Sequence, residues 1–492
     1  MDAPRAGSAG TFVTDVPHRL DRLPWSRWHW VVVIALGVTW VLDGLEVTVV
    51  GAIGPRLQER SGLSLSAAQV GEAATAYLIG AALGALTFGT LTDRFGRKRL
   101  FLVTLLWYLS MTLATAASWN FLSFALFRAL AGAGIGGEYA AINSAIDELI
   151  PSRQRGRVDL AINGTWWLGT ILGSLASLVL LDPRVIAPQI GWRLTFALGA
   201  ILAFGILFVR KSIPESPRWL LLHGNDRQAL RIVENIEREV ERERGARLRP
   251  AGGTIVIDPS RTRTGLRPVL EAMLQRYPLR SFVSLSLMVA QAFLYNAIFF
   301  TEALVLTTFF NVPPDRVPLY IFPFAVGNLL GPLVLGRLFD TAGRKTMIAA
   351  TYALSAILLI ATGFAFVQGA LNAATLTVAW CIVFFFASAG ASSAYLTVSE
   401  TFPLQTRAMA IAIVYSVGTL VGGAAAPSLF GALIATKSAA AVFNGYLVAG
   451  AAMLAAAFVE GRFGVEAAQK ILEEIAPLSY SASDRGKEAG EC

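Results

Sequence analysis

Residues 89–98 read GTLTDRFGRK, and residues 336–345 read GRLFDTAGRK. Their Gly, Asp, Gly, Arg and Lys fall in register at an offset of 247 residues. A second pair repeats at almost the same distance. Glu148 is followed by Arg155, and Glu400 by Arg407, at an offset of 252. Two unrelated motifs that share a spacing describe one unit written twice. The chain is therefore expected to fold as two similar halves, with the charged stretch 211–281 between them.

Outward from these motifs the chain is a series of apolar blocks. Each is about 20 residues long, the length that crosses a hydrocarbon core of roughly 30 Å. Twelve spans are expected: 28–51, 67–91, 100–118, 121–146, 158–181, 193–210, 282–310, 318–338, 346–367, 374–398, 408–435 and 440–459. All must be helical, because backbone groups in lipid have to be satisfied within the segment. The composition agrees. Hydrophobic residues make up 55% and charged residues 15% of the 492 residues, and mean hydropathy is +0.57. Soluble domains carry about 25% charged residues. A soluble enzyme, a disordered chain and a β-barrel are excluded, the last because barrels need short alternating segments.

The Lys and Arg count sets orientation. With both termini inside, inside segments hold 34 of the 41 and outside loops hold 6, with Arg128 inside the membrane. Positive charge accumulates in cytoplasmic loops, so both termini are expected in the cytoplasm of a plasma (bacterial inner) membrane. The same rule accounts for the net charge of +8 without nucleic acid. The expected division is a tail (1–27), a first six-helix half (28–210), a linker with short helices (211–281), a second half (282–459) and a tail (460–492). No secretory signal is visible, and the run from Trp28 reads as a retained first span. Two cysteines exclude a disulfide scaffold, and three scattered histidines suggest no metal site. No nucleotide-binding pattern occurs, which argues against an ATP-driven pump.

The motifs resemble those of the major facilitator superfamily over nearly the whole chain. Gly89-x-x-x-Asp93-x-x-Gly96-Arg97-Lys98 is similar to the family's loop between helices 2 and 3, and its copy falls between helices 8 and 9. Pro214-Glu215-Ser216-Pro217-Arg218-Trp219-Leu220 resembles the stretch after helix 6 in sugar porters and related metabolite symporters. Glu400-x-Phe402-Pro403-x-x-x-Arg407 resembles their loop after helix 10. Where sugar porters carry Gly-Pro-x-x-Trp, this chain reads Ala391-Ser392-Ser393-Ala394-Tyr395. Asp43-Gly44-Leu45-Glu46 and Gly136-Gly137-Glu138-Tyr139 are similar to motifs of metabolite:proton symporters. The resemblance implies an all-α membrane protein of twelve helices in two pseudo-symmetric halves, a transporter and not an enzyme.

Charge inside the membrane marks the candidate chemistry. An ionisable side chain there costs at least about 2.5–3.5 kcal/mol and marks a pathway by default. Asp43 and Glu46 share roughly one helix face. Two neighbouring carboxylates resist ionising together, so one is suited to carry a proton. Arg128 matches the Arg that pairs with the helix 1 acid in sugar:proton symporters. The alternative is a static ion pair locking helix 1 to helix 4. Glu138 is expected to serve as a second proton site, a substrate contact or a structural group. Gln291, Tyr295 and Asn296 on helix 7 offer amide and hydroxyl groups to substrate, with Tyr395, Trp166 and Trp380 as stacking walls. Polar residues of this kind also glue membrane helices together.

The repeated motifs read as a cytoplasmic gate: Gly89, Asp93, Gly96, Arg97 and Lys98, then Asp340, Arg344 and Lys345 in the second copy. Glu148, Arg155, Glu400 and Arg407 add ion pairs on the same face. Residues 224–245 read as an amphipathic helix under the bundle, with Leu230, Val233, Ile236 and Val240 on one face. The expected function is alternating-access transport of a small polar metabolite (an organic or aromatic acid or a sugar) by proton symport. A proton-driven efflux antiporter and a non-transporting sensor on the same fold are the competing readings. The expected partners are a small-molecule substrate, protons and the bilayer, with no cofactor, no nucleic acid and a monomeric state.

Overall fold

The structure is a computed structural model that describes residues 12–210, 214–257, 266–299, 301–313, 316–403 and 406–476. Among these residues, twelve apolar helices of 12 to 32 residues form the bundle. The first six are α1 (Arg27–Gln58), α2 (Ala67–Phe95), α3 (Arg97–Ala116), α4 (Phe121–Leu149), α5 (Arg155–Leu180) and α6 (Pro188–Arg210). The second six are α7 (Pro278–Phe299), α8 (Pro318–Thr341), α9 (Arg344–Val367), α10 (Ala373–Thr401), α11 (Arg407–Gly418) and α12 (Ala439–Phe463). Eight described helices are long and apolar enough to cross a membrane by length and composition. Large apolar side chains such as Trp30, Leu83, Leu122, Ile357 and Phe458 stay exposed on the outside of the bundle. So broad an exposed apolar surface marks contact with lipid.

Two rods are not continuous. The expected span 282–310 is broken at Thr301, and the helix resumes as Glu302–Phe310. The expected span 408–435 passes through a π-helical turn, Thr419–Gly423, before Ala425–Ala435. Hydropathy is blind to both features because the residues around each interruption are mostly apolar.

The repeated motif builds the same corner twice. Gly96 (φ 94°) ends α2 and starts α3, and Gly343 (φ 105°) separates α8 from α9. An L side chain is strained at such φ, so glycine is required. Each corner is completed by an acid from downstream. The Lys98 backbone N–H donates to Glu215 (3.2 Å), and the Arg344 backbone N–H donates to Glu466 (2.8 Å). A carboxylate there satisfies a helix N-terminus and meets its dipole. Glu215 and Glu466 lie 251 residues apart, so they form a third element of the repeat.

The rods pack first within their own group. α2 packs on α4 and α1 on α5; later in the chain α9 packs on α12 and α8 on α10. Contact between the groups runs along α5 with α8 and along α2 with α11. A Cβ at Gly89 would sit 2.7 Å from the Ala412 Cβ, so that glycine sets how closely α2 approaches α11.

At the end of the bundle where the termini lie, Phe12–Thr14 pairs antiparallel with Ile255–Ile257. Helix Asp226–Arg244 buries Ala229, Val233, Ile236 and Val240, while Leu230 is only half-buried. That face packs with Val16, Leu20, Trp28 and Val32. Arg19 and Arg22 both donate to the Glu237 carboxylate. Residues 477–492 of the expected C-terminal tail lie outside the described residues.

Candidate functional site

Asp43 sits midway along α1 and is 2% exposed. Three neutral donors from three helices close on its carboxylate. Trp166 Nε1 of α5 donates to Oδ2 (2.7 Å), the Tyr139 hydroxyl of α4 to Oδ2 (2.9 Å) and the Tyr77 hydroxyl of α2 to Oδ1 (3.1 Å). Buried carboxylates survive when their lone pairs are satisfied in this way. The Arg128 guanidinium lies 4.1 Å from the centroid of the Tyr77 ring. It is 2% exposed. Among the described residues no ion pair joins Asp43 to Arg128. The side chain of Glu46 lies outside the described residues.

Rings from both groups of helices meet beside Asp43. Tyr139 stacks on Tyr415 of α11 (4.5 Å between centroids) and packs edge-on to Trp40 of α1 (4.3 Å). Tyr395 of α10 lies 5.7 Å from Tyr139 and 6.3 Å from Trp40. From the third donor, Trp166, the rings continue: Trp166 faces Phe299 of α7 (5.7 Å), and Trp167 faces Tyr295 (5.9 Å). The carboxylate therefore lies beside two aromatic clusters, each of which crosses from the first six helices to the second.

At the termini side the same boundary is crossed by charge. Arg155 Nη1 is 3.3 Å from Glu400 Oε1, and Arg344 Nε is 3.0 Å from Glu400 Oε2. Arg344 also holds Asp340 at 2.7 Å. Arg407 lies 3.9 Å from Glu148, and Arg155 3.9 Å from Asp147. The described pairs thus exchange partners between repeats: Arg155 reaches Glu400, and Arg407 reaches Glu148. Asp340 accepts from the backbone N–H groups of Gly156 (3.0 Å) and Arg157 (2.8 Å), capping α5 from α8. All of the ion-paired side chains are buried. The bundle is closed at this end.

The sequence profile of the sugar (and other) transporter family matches residues 31–478. The chain belongs to that family. It is similar to the niacin transporter NiaP of Acinetobacter baylyi, at 28% identity over 84% of this chain and 89% of that protein. It is similar to the gallate transporter of Pseudomonas putida, at 26% identity over 71% and 74%. The fold is shared with the proton:xylose symporter XylE bound to 6-bromo-6-deoxy-D-glucose. That likeness has a TM-score of 0.73 and 20% identity, and covers 91% of this chain and 98% of the other. The protein is a multi-pass membrane transporter of the major facilitator fold, and the family is one of transporters and not of enzymes.

In this transporter the other sequence-derived candidates scatter. Gln291 donates to the Met288 sulfur (3.0 Å) and Asn296 to the Ala292 carbonyl (2.7 Å), each within its own helix. Tyr295 donates to Asn328 of α8 (3.0 Å). Trp380 is fully buried in the core formed by the second six helices. Glu138 is buried in α4. Lys345 is half-buried at the start of α9. The side chains of Asp93 and Arg97 lie outside the described residues. Trp40, Tyr77 and Tyr415 join the site without having stood out in the sequence, because a single aromatic in an apolar run has no local mark. Tyr139 had one, its place beside Glu138 in the Gly-Gly-Glu-Tyr motif.

Proposed function

We propose that the protein is a proton symporter for small aromatic carboxylates, working by alternating access. The observation that carries this reading is the setting of Asp43: one carboxylate, hydrogen-bonded by three neutral donors and not ion-paired, beside rings contributed by both sets of helices. A carboxyl with neutral partners can gain or lose a proton without stranding a buried cation. The flanking Trp and Tyr rings suit a planar substrate, since offset and edge-on ring contacts each add about 0.5–1.5 kcal/mol. The names of the niacin and gallate transporters, and of the 4-hydroxybenzoate transporter PcaK of Acinetobacter baylyi, point to the same chemistry. Arg128, next to Tyr77, supplies positive charge close to where a carboxylate would bind. In this reading residues 28–210 and 282–459 rock against each other, and both termini face the cytoplasm. The lock of Glu148, Arg155, Asp340, Arg344, Glu400 and Arg407 breaks each time the inward side opens.

Proteoliposomes loaded with a pH-sensitive dye test this. Nicotinate, gallate, 4-hydroxybenzoate and xylose are added in turn. Internal acidification is expected with at least one aromatic carboxylate. It is expected to fall at least about tenfold in Asp43→Asn vesicles, the factor that 1.36 kcal/mol makes in a rate, with Glu46→Gln run in parallel. Acidification with xylose alone, or undiminished acidification by Asp43→Asn, overturns the reading.

A further inference from the structure

Glu302 is the first residue of the helical segment that resumes after the break in α7. It is 1% exposed, and its Oε1 meets no hydrogen-bond donor. Among the described residues it forms no ion pair. Cys381 of α10 and Tyr446 of α12, neither of them a cation, lie within electrostatic reach of it. Segment Ala425–Ala435, which packs against Glu302–Phe310, contains no ionisable residue. Phe366 of α9 packs on Phe309 and Phe310, and no charged residue lies between Lys345 and the end of α9. Were the carboxylate ionised, its Oε1 would have no donor and no cation would be paired with it, a state that costs several kcal/mol. The group is therefore neutral in this conformation and holds a proton.

Its position links it to the central site. Phe299, the last residue of α7, packs on Trp166 and Trp167 of α5 (5.7 and 5.6 Å). Trp166 in turn donates to Asp43. A helix interrupted at one point can swing there, because hinges are a few residues at element ends.

We propose that Glu302 is a second proton carrier of this transporter, loaded while buried beside Cys381 and Tyr446. It releases its proton to water when segment Glu302–Phe310 swings on the break at Thr301. The proposal rests on the proton-coupled reading above and adds a site to it. The proton moves between water and the carboxyl oxygen, so no co-reactant is needed.

Two measurements test it. The first uses no substrate: infrared difference spectra of the full-length protein in lipid, recorded across a pH titration. A carbonyl band of a protonated carboxyl is expected to vanish in Glu302→Gln and to persist in Asp43→Asn and Glu302→Asp. Glu302→Gln should fold normally, since it replaces one neutral group by another of the same shape. The second compares proton uptake with uptake of labelled nicotinate or 4-hydroxybenzoate in proteoliposomes. The ratio of protons to substrate is expected to halve in Glu302→Gln and to stay unchanged in Glu302→Asp. An unaltered set of carboxyl bands in Glu302→Gln, or an unaltered ratio, overturns the proposal. If the wild type takes up no protons with substrate, the symport reading fails, while the bands still report on Glu302 by itself.

Discussion

At mid-depth the two sets of helices meet through rings and neutral donors around a single carboxylate, Asp43. At the termini side they meet through guanidinium–carboxylate pairs, Arg155 with Glu400 at 3.3 Å and Arg407 with Glu148 at 3.9 Å, while Arg344 braces Glu400 from within the second six helices at 3.0 Å. Both regions are buried and both cross the same boundary, but their chemistry differs in what a small change does. Donors such as the Tyr77 and Tyr139 hydroxyls stay satisfied or nearly so when Asp43 changes its protonation, since a protonated carboxyl still accepts. A buried ion pair has no such intermediate: removing one partner strands the other at a cost of about 3–5 kcal/mol. The first arrangement suits a group that titrates during the cycle. The second suits a contact that is either made or fully broken and rehydrated. Discrete closure of this kind is how packed interfaces become two-state.

The largest effect is expected where the pairs are densest. Arg344→Ala takes one buried cation from both Glu400 and Asp340, leaving Glu400 to Arg155 and Asp340 to the Gly156 and Arg157 N–H groups, and should lower stability by up to about 3–5 kcal/mol. Arg344→Lys should fall in between, because an ammonium cannot reproduce the forked geometry by which Arg344 contacts both Glu400 oxygens. Thermal unfolding, with spin-label distances across the termini side, reads both quantities. Wild-type unfolding and unchanged distances in Arg344→Ala would show that the ionic region is not the lock, and the contrast with the Asp43 region would collapse.

At the carboxylate the expected effect is smaller and more specific. Tyr139→Phe keeps the ring on Tyr415 and Trp40 but removes one donor to Asp43. A single hydrogen bond is worth about 0.5–1.5 kcal/mol net. Half-maximal transport should then require several-fold more substrate, with thermal stability almost unchanged. Tyr139→Ala should add a stability loss by opening the ring cluster. A Tyr139→Phe variant as unstable as Arg344→Ala would place both regions in the same mechanical class.

How much of this was legible in the sequence follows from which physics is local. Hydropathy and helix length are local, so the spans starting near Trp28, Ala67 and Phe121 were readable to within a few residues. The break at Thr301 and the π turn Thr419–Gly423 were not, because the single charge of Glu302 and the single proline Pro427 leave the mean hydropathy of their runs high. Intramembrane charge is also readable, which marked Asp43 and Arg128. Their partners are not, since Tyr77, Tyr139 and Trp166 reach Asp43 from three different helices. The repeat announced Arg155 and Glu400 but not their cross-pairing, which depends on how the helices dock. Glu466 was readable in principle, 251 residues after Glu215, yet it carries no flanking motif of its own.

The smallest expected effect comes from an ionic contact that does not cross the boundary between α1–α6 and α7–α12. Glu237 receives Arg19 and Arg22, so helix Val16–Asp21 is held to helix Asp226–Arg244. Burial pushes the Glu237 carboxyl up, but hydrogen bonds and charge from the two arginines outweigh it and hold it below the ordinary glutamate range. A carboxylate depressed by folding stabilises the docked form at pH values above its unfolded pKa. That contribution disappears as pH falls through the lower folded value. The short helix should therefore stay docked at a mildly acidic pH that protonates ordinary glutamates, and detach only below it. Glu237→Gln should detach it at every pH, at a cost of about 1 kcal/mol or less because the pair lies near the surface. Amide exchange in Val16–Asp21, corrected for intrinsic rate, reads the difference, and added salt should shrink it. Spin-label distances across the termini side should not move, because no partner of Glu237 belongs to the second six helices. A shift there as large as that of Arg344→Ala would mean that any ionic contact at this end controls closure. The lock would then not be confined to the pairs around Glu400.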